Sequence, residues 1–384
     1  MGLGLLLFLP VHGQVIIQDR YFMTAILFTA YVYAAALLAN SYWPHLADKN
    51  LEYASEWIRM GFLPAFIVAF WLAQKAKLIS RVFILATIGL FLRIARYFDP
   101  TLIPAYLSGQ TRANFGIFIN PFALFCATLL LFFLMTAPNY KRWWQKGLWF
   151  LSVLVLLEAI IATQARQIWI IGVIIFPCLL FWRFRLAFHW FSRPSMIMAT
   201  LLLIGMIVLI SLNHRVIEKR LSEEQATIHA IFSAKLDTVP PTSLGLRIYA
   251  LRLGVERFLE KPLFGFGPGM NHYLIDHSPY PVLQAMKIQH FHNAYMETLV
   301  ALGIVGALFF MMQLYCWYQG IAQGKQNTFL DPGQALFLQG ALLLFLLANL
   351  FDFHLGNYWG RFYVILLGGA CYAPRLAPLW FHRP

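Results

Sequence analysis

Arg247 closes the segment Thr242-Ser243-Leu244-Gly245-Leu246-Arg247, and from there apolar residues recur at helical spacing at Leu244, Ile248, Leu251, Val255 and Phe258. Pro240 and Pro241 precede this stretch, Thr242 or Ser243 can cap its amino end, and Pro262 with the turn Gly265-Phe266-Gly267-Pro268-Gly269 stops it. An arginine in the first turn or so of a helix stands near free backbone N–H groups and the positive end of the helix dipole. Such a place suits an anion, and a guanidinium adds bidentate reach to the oxygens of a pyrophosphate. The plainer reading of a lone arginine here is a cation snorkelling to lipid headgroups. Arg166, in Thr163-Gln164-Ala165-Arg166-Gln167, sits where one apolar run ends and the next begins after a few polar residues. A charge held at that boundary costs free energy, so it has a task, a partner or an anchoring role. His290-Phe291-His292-Asn293 comes just before a further apolar run at Ala294. A neutral imidazole is the best proton acceptor near neutral pH, and His292 is placed to face a cavity at the boundary. Two histidines one residue apart can also bind a metal. No Asp-x-Asp, Glu-x-Asp or His-Glu-x-x-His motif completes a site, so no metal is expected. The glycines after Pro262 resemble a phosphate loop only superficially, since no strand precedes them.

The elements that must hold these residues are membrane spans. Hydrophobic residues make up 60% of the 384 and charged ones 12%, half the share of about a quarter in ordinary soluble chains. A helix needs about 20 apolar residues to cross the bilayer with its backbone groups paired internally. Spans are expected at 21–38, 58–73, 78–97, 116–136, 148–163, 168–182, 195–212, 294–318, 335–350 and 358–373. The apolar opening 1–17, which has no preceding Lys or Arg and is interrupted by Pro10, His12 and Gly13, is a poor signal peptide and reads as a short or partial span. The expected fold is therefore an all-α polytopic transmembrane bundle of about 11–12 spans. It divides into membrane helices at 1–212, a large partly helical extracytoplasmic loop at 213–293, and membrane helices at 294–384. The stretch 213–290 is the polar exception, carrying 16 Asp, Glu, Lys and Arg residues.

Basic residues fall on alternate loops, at Lys75, Lys77 and Arg81, then Lys141, Arg142 and Lys146, then Arg183, Arg185 and Arg193, then Arg375 and Arg383. Those loops are cytoplasmic by the positive-inside rule, which puts Arg166, the large loop and His292 on the opposite side. The net charge of +13 thus reflects topology and not nucleic-acid binding. The four cysteines lie in apolar runs without paired spacing and read as buried thiols. Arg93, Arg96, Glu158, Glu297, Asp352 and Arg361 read as cavity-lining or pairing charges.

Taken together, Thr163-Gln164-Ala165-Arg166, Thr242 to Arg247 with the following Pro262 and glycines, and His290-Phe291-His292-Asn293 before Gly303 and Gly306 resemble the O-antigen ligase and polymerase superfamily. The resemblance covers well over half the chain, in order, spacing and side of the membrane. It implies a GT-C-like membrane glycosyltransferase of the bacterial inner membrane with a periplasmic active face and no cofactor. Arg166 and Arg247 would hold the pyrophosphate of an undecaprenyl-diphosphate-linked glycan, and His292 would activate the acceptor hydroxyl. Gln164, His290 and Asn293 would support them. The acceptor implied is the lipid A-core oligosaccharide, with membrane lipids as the surroundings. Two arginines can stabilise the diphosphate leaving group without metal, and a base opposite them makes inversion at the anomeric carbon the natural outcome. An O-antigen polymerase or a protein O-oligosaccharyltransferase would use much the same donor site. A lipid or polysaccharide transporter would show an internal repeat, and none is evident.

Overall fold

The computed structural model describes residues 13, 16–136, 142–186, 193–233 and 239–381. Most of the opening segment 1–17, with Lys141 and Arg383, lies outside them. The described residues are helical throughout, without strands. The main helices are α1 (Arg20–Tyr42), α2 (Ala47–Ile58), α3 (Phe62–Leu72), α4 (Lys77–Tyr97), α5 (Ile119–Thr136), α6 (Trp143–Thr163), α7 (Arg166–Leu186), α8 (Arg193–Leu212), α9 (His214–Ser222), α10 (Ser243–Glu260), α11 (Met270–Asp276), α12 (Ala294–Gln326), α13 (Pro332–Ala348) and α14 (Tyr358–Leu376). Among the described residues, seven helical segments are long and apolar enough to cross a membrane, or eight if the pair Thr200–Leu212 and His214–Ser222, bent by 60°, is one span. This is a multi-pass membrane protein. Each expected span from residue 21 onward meets a helix; α3 counts among the seven only within the segment Pro44–Leu72, α13 is a shorter apolar helix, and α14 falls outside the set of apolar spans.

The chain forms two compact units. Unit one comprises Met1–Ala76, Ala226–Phe329 and Asn349–Pro384, and unit two Lys77–Gln225 and Leu330–Ala348. In unit one α14 packs on α3, and α12 lies against both α14 and α1. Aromatic rings fill the space between them, with Phe62 5.9 Å from both Phe310 and Trp317, and the Tyr21 hydroxyl donates to the Phe62 carbonyl at 2.8 Å. In unit two α5 packs on α6 and α13, around Phe83, Phe132 and Phe337. The folded part of the large loop buries Leu253, Met270, Ile275, Leu283 and Phe291 in one core with Leu46 and with Met296 and Val300 of α12.

Helix α10 forms where expected, with Thr242 as the cap: its hydroxyl accepts the Gly245 N–H at 3.1 Å. Its buried face is not the expected one. Leu251 and Val255 are exposed, and Gly245, Leu246, Ala250, Leu253 and Gly254 are buried instead. Small residues explain the rotation, because they let backbones approach closely. A Cβ on Gly245 would lie 1.9 Å from the Pro240 carbonyl oxygen. α12 breaks at Gly303, whose φ of 64° and ψ of −168° only glycine adopts readily, and a Cβ there would meet the Leu263 carbonyl at 2.3 Å. Cys126, Cys316 and Cys371 are buried as expected, whereas Cys178 is exposed on α7. Of the boundary charges, Arg361 pairs with Glu56 at 3.3 Å, Glu158 accepts from Asn213, and Arg93 donates to the Phe115 carbonyl.

Candidate active site

In unit one, the turn that follows α13 gathers the loop motifs. The Asn349 carbonyl accepts the Ala294 N–H at 2.8 Å, the Leu350 carbonyl accepts Asn293 Nδ2 at 3.1 Å, and the Phe351 carbonyl accepts Arg247 Nε at 2.9 Å. Arg247 Nη1 also donates to the Ser243 carbonyl and hydroxyl, at 2.9 and 2.7 Å. Its guanidinium is therefore oriented from two sides before any ligand arrives. Asn293 caps α12, its Oδ1 accepting the Tyr295 and Met296 N–H groups, so its role is to fix the histidines' entry into the helix. Just upstream, the Phe291 N–H donates to Glu297 Oε2 at 2.9 Å.

Asp352, the next residue of the turn, faces both motif histidines. Its Oδ1 lies 3.5 Å from His292 Nδ1 and 3.9 Å from His290 Nε2. The backbone N–H of His292 donates to His290 Nδ1 at 3.1 Å, which leaves the His290 proton on Nε2, toward the carboxylate. Burial, followed by the charges of neighbouring His292 and Arg247, pulls His290 down to about 4. Burial alone would raise the Asp352 carboxyl, but the contact with His292 and the nearby imidazoles of His354 and His290 override it and hold the carboxyl below its usual range. Asp352 is thus held as a carboxylate facing the two motif histidines. His292 adopts a positive φ of 52°, a left-handed conformation uncommon outside glycine, and its Nδ1 is buried with no hydrogen-bond partner. If the His292 proton sits on Nδ1, facing Asp352, Nε2 is the nitrogen left to accept one. His354 is fully buried with neither ring nitrogen hydrogen-bonded, and burial lowers it too.

Ligating atoms of His290, His292 and Asp352 lie within 4.8 Å of one another, close enough for one divalent ion to bridge them. Adjacent sequence supplies no third ligand for the histidine pair; the turn supplies one from a remote segment.

In unit two, Arg166 opens α7 and is held by carboxylates. Its Nη2 is 2.7 Å from Glu224 and its Nη1 3.5 Å from Glu223, and Nη1 also donates to the Arg220 carbonyl at 3.1 Å. Gln164 is the left-handed residue joining α6 to α7, with φ 55°. Its side chain accepts Arg220 Nε at 2.7 Å and donates to the Thr111 carbonyl at 2.9 Å. Arg220, in turn, pairs with Glu223 at 2.7 Å. An anionic ligand of Arg166 would exchange with, or add to, these carboxylates.

Residues 151–311 match the O-antigen ligase family. The similarity covers 161 of the 384 residues. No curated protein matches the chain. The family domain contains Arg166, Arg247, His290, His292 and Asn293, and its kind implies a glycosyltransferase-like membrane enzyme acting on lipid-linked glycans. Asp352 and His354 fall beyond it. Asp352 stands out in the sequence only as one of several boundary charges, and the polar Asp352-Phe353-His354 between two apolar runs is the signal that marks the turn. Arg220, Glu223 and Glu224 carry a comparable signal, a charge cluster directly after a span.

Proposed function

We propose that this chain, similar over residues 151–311 to the O-antigen ligase family, is an O-antigen ligase, a metal-independent inverting glycosyltransferase of the bacterial inner membrane. It moves a polysaccharide from undecaprenyl diphosphate to the lipid A-core oligosaccharide on the periplasmic face. The observation that carries this reading is the 349–354 turn, which sets a carboxylate beside His292 and a backbone carbonyl on Arg247. In the reaction, the acceptor hydroxyl oxygen attacks the anomeric carbon, and His292 Nε2 takes the hydroxyl proton. Asp352 orients the ring and stabilises the imidazolium that forms. The bond from that carbon to the diphosphate breaks, and the electron pair leaves with the lipid diphosphate. Arg247 stabilises the charge developing there, and the motif gives Arg166 the same role. Attack opposite the leaving group inverts the anomeric configuration.

The test is reconstitution of the purified chain with an undecaprenyl-diphosphate-linked glycan and lipid A-core. Transfer to lipid A-core with the inverted linkage is expected. Elongation of the lipid-linked glycan itself, with lipid A-core untouched, would replace ligase by polymerase. Transfer to serine or threonine of a protein would replace it by oligosaccharyltransferase.

A further inference from the structure

Unit one contains a cleft of about 340 Å³ between the carboxyl end of α1 and the turn that follows α10. This is within the range of about 300–1,000 Å³ typical of small-molecule sites. Ala35, Leu38 and Tyr42 line it from α1, and Leu263, Phe264 and Phe266 from the turn. Around it Leu37, Leu38 and Tyr42 are 63%, 45% and 64% exposed, and Leu263 and Phe264 are 57% and 52% exposed. Apolar side chains this open on a membrane span and its adjoining loop face hydrocarbon, so the cleft opens onto lipid. One cation lines it. Lys261 Nζ lies 4.7, 5.0 and 5.9 Å from the ring centroids of Tyr42, Phe266 and Trp43. Three ring faces hold the ammonium in place, and among the described residues no carboxylate pairs with it. An apolar cleft with a caged ammonium is complementary to a lipid chain carrying a phosphate.

Two lipid substrates enter the proposed reaction, and geometry separates them. Lys261 follows the last turn of α10 and Arg247 lies in its second, so the helix rise sets them roughly 20 Å apart. The donor has a single diphosphate, which the proposed mechanism places at Arg247. We propose that the cleft seats an acyl chain of the acceptor's lipid anchor, with an anchor phosphate on Lys261; this rests on the ligase reading above. An oligosaccharide head of several sugars then reaches from that anchor toward the Arg247 end of α10. The device fixes the acceptor by its lipid end and leaves its terminal hydroxyl to be presented to the base.

Photocrosslinking tests this in the full chain, reconstituted in nanodiscs of zwitterionic lipid with Leu38→benzoylphenylalanine as the reactive position. Lipid A-core should crosslink, and unlabelled lipid A-core should compete. Lys261→Glu should cut the yield about tenfold and Lys261→Arg should largely keep it. In transfer assays Lys261→Glu and the cleft-filling Leu38→Trp should each raise the acceptor KM about tenfold while the donor KM holds. Equal competition by phosphatidylglycerol would show an ordinary headgroup site and overturn the proposal. So would crosslinking of the undecaprenyl-diphosphate glycan in preference to lipid A-core, or a yield indifferent to Lys261→Glu. Crosslinking needs no turnover. A wild-type chain that transfers nothing would count against the ligase reading while the cleft's answer stayed readable.

Discussion

Replacing His292 with alanine and, separately, with glycine distinguishes chemistry from architecture at one position. A positioned base contributes typically about 10²- to 10⁴-fold, or roughly 3 to 5 kcal/mol of barrier, and both variants should lose it. Donor binding should survive in both, because Arg247 is held by Ser243 and by the Phe351 carbonyl and not by His292. Stability should split the pair. At a φ of 52°, alanine carries a left-handed strain of about 1 kcal/mol that glycine does not. His292→Gly should therefore unfold at or above the temperature of His292→Ala while being equally inactive. His290→Ala leaves the contact between Asp352 and His292 in place and should keep activity within several-fold. The assays are single-turnover transfer, equilibrium binding of the lipid-linked donor, and thermal unfolding in detergent. Near wild-type transfer by either His292 variant, or loss of donor binding with both arginines intact, would refute the assignment of the base.

Asp352→Asn should lower kcat about 10- to 100-fold with the donor KM unchanged, and should alter the acid limb of the pH–rate profile; an unaltered profile would leave Asp352 a structural role alone. Arg166→Ala and Arg247→Ala should each abolish transfer without loss of expression. Lysine should rescue poorly, at position 247 because Nε and Nη1 are bound to different partners, and wild-type-like transfer by either alanine variant would remove that arginine from the donor site. Transfer should survive EDTA; loss on chelation restored by a divalent ion, with His290, His292 and Asp352 equally required, would install a metal where the base is proposed. Acid should weaken the fold. With His290 near 4 in the folded chain and near 6.5 when unfolded, the unfolded state binds the extra proton between those values. Stability should therefore fall by up to about 3 kcal/mol as pH drops from 6.5 to 4, and the lowered Asp352 acts in the same direction further down. Unfolding temperatures that do not fall over that interval would show that His290 stays proton-accessible.

The membrane helices were legible because hydrocarbon imposes a length and a composition that can be read along the chain, and their positions from residue 21 onward follow the apolar runs. The orientation of α10 was not. Periodicity ranks its residues by hydrophobicity, whereas close packing selects for size: Leu251 and Val255 are exposed, while Gly245, Ala250 and Gly254 are the small residues that let it pack. The break at Gly303 escaped for a related reason. Nothing in an apolar run announces that a Leu263 carbonyl will pass where a Cβ would stand. Arg166, Arg247 and His292 stand out as candidates by type and position. Their immediate partners, Glu224, Phe351 and Asp352, do not, since each is brought in by folding from tens of residues away.

That difference bears on how the site works. Arg247 and His292 come from opposite ends of the folded loop, and little in local sequence holds one relative to the other. The 349–354 turn does so through successive backbone and side-chain groups: Asn349 and Leu350 fix the start of α12 behind His292, Phe351 holds the guanidinium, and Asp352 faces the imidazole. Three of these four contacts use main-chain carbonyls, which any residue supplies, so only Asp352 leaves a trace in the choice of amino acid. With Arg247 as the proposed donor-side cation and His292 as the proposed base, one short turn grips both, so a shift of either is transmitted to the other through one or two peptide units. Substitutions that lengthen this turn should then impair donor binding and proton transfer together, whereas Asp352→Asn separates them.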